Sequence, residues 1–217
     1  MNILTFTVVL IGWVFSLCLH EFSHALVAYY GGDTTVKDKG YLTFNPLKYT
    51  HPVYSLLLPL LFLVLGGIGL PGGAVYIEKW RLRSRRWASA VSLAGPAANL
   101  VLAIVLGIIL HFAPLTNHGI WPGLSFLAFL QISAMVLNLI PLPPFDGYGV
   151  IEPYLDSNLQ MSMAQTRGML SWVVFLVLWY VPIVNNLFWG FVSFLAQFVG
   201  VPLDLASLGF TLFQFWR

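Results

Sequence analysis

The chain has 217 residues, of which 59% are hydrophobic and only 8% charged. Soluble domains carry about 25% charged residues, so a water-facing globule is excluded and an integral membrane protein is indicated. Eight acidic against ten basic residues leave a net charge of +2, too little to argue for nucleic acid, and the one cysteine, Cys18, cannot form an internal disulfide.

In chain order, Ile3 to Leu19 carries no charge and predicts a membrane helix that continues to about Tyr30, where Gly31-Gly32 would end it. The N-terminus has neither a charged n-region nor a small-residue cleavage site, so this run reads as retained helix rather than signal peptide. Residues 33–52 are polar. A second apolar run, Val53 to Leu70, is interrupted by Pro59, Gly66, Gly67 and Gly69. Residues 71–86 begin Pro-Gly-Gly and end in the basic cluster Lys79, Arg81, Arg83, Arg85 and Arg86. Further spans are predicted at about Trp87–Phe112 and Leu124–Ile140. A proline-rich turn with Asp146 and a polar stretch to Arg167 follow, then spans at about Met169–Asn186 and Leu187–Phe213. There is no internal repeat. The fold class expected is an all-α polytopic membrane protein of about five to six transmembrane helices, with a re-entrant or broken segment after the first. Residues 1–217 are expected to form one domain.

Charge placement orients this bundle. If residues 53–70 enter and leave on one side, all ten Lys and Arg residues, Arg217 included, share a side with Asp146. The positive-inside bias makes that side cytoplasmic, and the Pro and Gly content suits a broken element shielded by protein. The alternative for these residues is a plain span.

The chemistry begins inside the first span, with His20-Glu21-Phe22-Ser23-His24. Histidines four apart on a helix project from one face, one turn apart, a spacing that suits two ligands of one tetrahedral Zn²⁺. Glu21 beside them is placed to take a proton from a metal-bound water. A third protein ligand is expected, because catalytic zinc keeps three and an open water position. His51 lies in a loop, His111 and His118 fall near the opposite membrane face, and Cys18 is surplus to the histidine spacing. Asp146 is the better candidate: prolines stiffen the chain before it into an extended arm, and Gly147 permits a sharp turn. The competing reading is an ordinary turn-forming Asp-Gly.

Three motifs in order, H-E-x-x-H at 20–24, Ala94-Gly95-Pro96-Ala97-Ala98-Asn99, and Asn138 through Gly147 matching N-x-x-P-x-P-x-x-D-G, resemble the site-2 protease family of intramembrane zinc metalloproteases. Leu42-Thr43-Phe44-Asn45-Pro46-Leu47-Lys48 resembles its L-N-P-L-K loop. The resemblance implies that His20, His24 and Asp146 hold one Zn²⁺ per chain and that Glu21 is the general base. It implies that Asn138 helps hold substrate backbone or the oxyanion, and that Asn99 braces the core helices. Phe145 stands where Leu is usual. Gly73-Ala-Val-Tyr-Ile-Glu78 replaces a strand-like P-V-P-x-N segment, which leaves the substrate-binding edge open within residues 40–50 or 71–78. No inserted PDZ or appended CBS domain is expected.

The activity implied is hydrolysis of peptide bonds within or near the transmembrane segments of membrane proteins. The partners expected are a transmembrane protein substrate and the lipid bilayer, with no nucleic acid. A homo-oligomer stays open. The location expected is the plasma membrane, with the active site toward the cytoplasm. The alternatives are a catalytically silent zinc-binding scaffold or chaperone of the same fold, and a metal or proton transporter.

Overall fold

A computed structural model of the protein describes residues 2–49, 75–114 and 116–214. The expected re-entrant element at 53–70, together with His51, lies outside the described residues. Those described form helices joined by loops, with no strand among them. The protein is an all-α integral membrane protein: among the described residues four helices are long and apolar enough to cross a bilayer, and a bent pair could serve as a fifth span.

Helix α1 (Asn2–Gly31) spends its uncharged first half on packing, burying Val9, Trp13 and Leu17, and it also buries His20, Glu21 and His24. At 1.5 Å per residue its length is about 45 Å, more than a hydrocarbon core of about 30 Å requires. Gly32, at φ +120°, a conformation L side chains rarely adopt, turns the chain so that Asp33 N–H bonds the Ala28 carbonyl and closes the helix end. A one-turn helix, α2 (Thr35–Asp38), follows. The next loop folds back against α1. Tyr49, 2% exposed, donates from its hydroxyl to the Cys18 and Thr43 carbonyls, while Phe44 stacks on Phe15 and Phe22. Part of the expected polar connection therefore packs on the helix that carries the His-Glu motif.

Helix α3 (Arg85–His111) starts where the Ser84 hydroxyl accepts from Trp87 N–H, and the preceding turn is pinned by Arg83 N–H on the Gly31 carbonyl. The basic end of α3 thus meets the C-terminal end of α1, and the two helices run antiparallel. Pro96 sits inside α3, where it removes the N–H that the Ser92 carbonyl would normally receive. Helix α4 (Trp121–Asn138) returns from the far end and is largely buried, with Phe126, Leu127, Leu130 and Ile132 in the core shared with α1 and α3.

The segment after α4 departs from the expected extended arm. Residues 141–144 are bends and turns, Phe145 N–H bonds back to the Leu142 carbonyl, and the Pro143–Pro144 peptide is cis. The short helix α5 (Asp146–Ile151) opens directly on Asp146. Phe145, 3% exposed, anchors this turn among Leu137, Val174 and Leu178.

The C-terminal boundaries also differ from expectation. Helix α6 (Ser157–Tyr180) begins well before Met169, because the Asp156 side chain accepts from Asn158 and Leu159 N–H and caps it. It stops at Val181, where Pro182 opens α7 (Pro182–Phe198), so the boundary between these two apolar helices precedes the Asn185-Asn186 pair instead of following it. The run expected to cross as one span to Phe213 is broken. Gly200 (φ +85°) and Pro202 separate α7 from α8 (Leu203–Phe213), and the two helices meet at a bend of 118°. Phe213 then packs on Phe6 and Phe126, tying α8 to α1 and α4.

Candidate metal centre

His20 and His24 leave α1 one turn apart, and Asp146 approaches them from the start of α5. Their nearest donor atoms form a small triangle: His20 Nε2 to His24 Nε2 is 3.1 Å, and Asp146 Oδ2 lies 3.2 Å and 3.4 Å from the two nitrogens. Ligand atoms about 2.0–2.1 Å from a tetrahedral zinc stand about 3.3 Å apart, so the spacings are those of three corners of such a tetrahedron. Asp146 Oδ2 is buried and has no hydrogen-bond partner, an arrangement that is costly unless a cation satisfies it. By donor type, spacing and the orphaned oxygen, the three residues fit a zinc ion. The triangle also needs a neighbouring helix without bulk, and Gly95 on α3 supplies it. A Cβ there would collide with the ring atoms of both His20 and His24, so only glycine lets α3 pass this close to the imidazoles.

The other ring nitrogens are also engaged. His24 Nδ1 is 2.6 Å from the Val91 carbonyl, and His20 Nδ1 is 3.3 Å from Asn99 Oδ1. With Nδ1 donating, each imidazole is the tautomer whose Nε2 lone pair faces the triangle. The A-G-P-x-x-N stretch of α3, with Val91 one turn before it, therefore serves the site directly: Val91 and Asn99 orient the rings and Gly95 makes room. Asn99, expected to brace helices, does so through a site histidine.

Glu21 is 3% exposed, and its Oε2 accepts from Val75 N–H at 3.1 Å. Residues 75–78, which carry that amide, border the cleft. The stretch is fastened by Asp33, fully buried, whose carboxylate accepts from Glu78 N–H (2.8 Å), Thr35 N–H (3.1 Å) and the Thr35 hydroxyl (2.6 Å). Glu78 in turn pairs with Arg81 and Lys39. Hydrogen bonds from Arg81 and then Lys39 hold the Glu78 carboxyl down to about 2. In the sequence Asp33 and Glu78 read as ordinary members of polar segments; their mutual contact spans forty-five positions and leaves no local pattern.

These groups surround a cleft of about 490 Å³, also lined by Asn138, Tyr148, Lys79, Glu152 and Arg167. Lys79 and Glu152 pair across it. Of the residues singled out from the sequence, the structure brings together His20, Glu21, His24, Asn138 and Asp146 at this cleft. His111 and His118 are exposed and belong to no such group among the described residues. The strand edge expected within residues 40–50 or 71–78 is not formed among the described residues; 75–78 joins no ladder.

Residues 8–118 match the model of peptidase family M50. A protein of Mycolicibacterium smegmatis named as a zinc metalloprotease, Rip2, is 48% identical over 97% of this chain and 81% of its own length. Rip2 of Mycobacterium tuberculosis is 47% identical with the same coverage. YwhC of Bacillus subtilis, also named as a zinc metalloprotease, is 32% identical over 81% of each chain. No solved structure gives a significant match. The stretch matched by the family model contains His20, Glu21 and His24, and the relatives extend the similarity past Asp146. The chain belongs to peptidase family M50, the site-2 protease family of membrane-embedded metalloproteases.

Proposed function

We propose that the protein is an intramembrane zinc endopeptidase that hydrolyses peptide bonds within or near the transmembrane segments of membrane proteins. The observation that carries this reading is the triangle of His20 Nε2, His24 Nε2 and Asp146 Oδ2 beside Glu21, in a cleft among membrane helices. His20, His24 and Asp146 would hold one Zn²⁺ per chain. Bound there, zinc would supply a water acidified to a pKa of about 7 and would polarise the substrate carbonyl.

The chain's own groups do the rest. Glu21 takes the proton of the attacking water and delivers it to the leaving amide nitrogen. The Val75 amide holds one oxygen of that carboxylate in place. Asn138, buried at the end of α4 and bordering the cleft, is suited to hold substrate backbone or the developing oxyanion. A helical substrate hides its carbonyls in its own hydrogen bonds and must unwind to reach the cleft.

The same reading makes residues 1–217 one catalytic domain and puts the protein in the plasma membrane. The cleft would face the cytoplasm, since Lys37, Lys39, Lys48 and the cluster from Lys79 to Arg86 gather at the end of the bundle where α1 stops and α3 starts. Cleavage of a model transmembrane substrate, lost in Glu21→Gln while bound zinc is retained, tests the proposal. Unchanged cleavage in that variant overturns it.

A further inference from the structure

Tyr148 lies two positions after Asp146 and lines the same cleft as His20, Glu21 and His24. Its side chain is nine-tenths buried, and its hydroxyl has no hydrogen-bond partner. Buried tyrosine hydroxyls ordinarily find a partner, and leaving one unpaired is costly. Two acidic residues that line the same cleft already hold partners. Glu152, one helical turn further on, pairs with Lys79, and Glu21 accepts from Val75. A phenylalanine would fill the same space without the orphaned hydroxyl, so the oxygen calls for a partner that arrives from the cleft.

An unwound membrane segment brings unsatisfied N–H and C=O groups with it, each expensive away from water. The carbonyls of such a segment need hydrogen-bond donors from the cleft wall. We infer that the Tyr148 hydroxyl donates to a main-chain carbonyl of the bound peptide and is a substrate-binding residue. This inference rests on the protease reading above.

The test is Tyr148→Phe in the full chain, assayed on a detergent-solubilised model transmembrane substrate. KM should rise about fivefold to tenfold, the loss of one hydrogen bond, with bound zinc unchanged and thermal stability equal or higher. In the Glu21→Gln background, binding of the uncleaved substrate should weaken by the same factor in Glu21→Gln/Tyr148→Phe. Unchanged KM and unchanged binding overturn the inference, as does a loss of zinc or of stability without a change in KM, which would make the hydroxyl a structural group. Wild-type cleavage abolished by Glu21→Gln keeps the protease reading intact whatever Tyr148→Phe does; absence of wild-type cleavage sinks both.

Discussion

Asn99 Oδ1 on α3 lies 3.3 Å from Nδ1 of His20 on α1, joining residues seventy-nine positions apart. The contact fixes which nitrogen of His20 faces Asp146. Asn99→Ala should lower zinc affinity by about 10–100-fold, the usual cost of losing an outer partner of a metal-binding histidine. Asp146→Ala should lower it further still. Metal content of the purified variants across a chelator series checks both, and zinc retained by Asp146→Ala at the wild-type level would remove it from the donor set.

Gly95→Ala places a methyl against both imidazoles. Neither ring can retreat easily, because each is held through Nδ1. The expected result is a loss of bound zinc and of cleavage, larger than the same substitution causes at Gly168, where a Cβ meets nothing. Parallel metal analysis and activity of the two variants make the comparison.

Asp33→Asn replaces a three-fold acceptor by a group whose NH₂ must face a donor. The cost should be about 1–3 kcal/mol, seen as a lowered unfolding temperature in detergent, with slower cleavage because the stretch that holds Glu21 is loosened.

The Glu78 clasp should open in acid. Its folded carboxyl is held down to about 2 by Arg81 and Lys39, against an ordinary value of about 4.3. A lowered acid contributes stability above its unfolded value, and that contribution is lost as pH falls through the folded one. As pH falls from about 4.3 towards 2, residues 75–78 should loosen. Hydrogen-exchange protection of the Val75 and Glu78 amides, corrected for intrinsic rates and followed by mass spectrometry, measures this. Glu78→Gln should show the reduced protection already at neutral pH.

The first span and the H-E-x-x-H face are legible in the sequence because both are local: a charge-free run and a four-residue spacing on one helix. Asp146 stands out from its proline-rich setting, although the arm that delivers it is turned, not extended. The break at Gly200 and Pro202 has a signal in the sequence, masked by unbroken apolarity on either side. The start of α6 is hidden because its first half is polar, and only the Asp156 cap marks it. The roles of Tyr148 and of the partners of Asp33 are decided by burial and long-range pairing, which no local pattern records.

The amide that steadies Glu21 belongs to a stretch whose other end is fastened by ions at the basic rim of the bundle. A carboxylate deep among apolar helices is thereby tethered to charges that meet water. Screening those ion pairs with salt would therefore loosen, through residues 75–78, the amide that steadies Glu21.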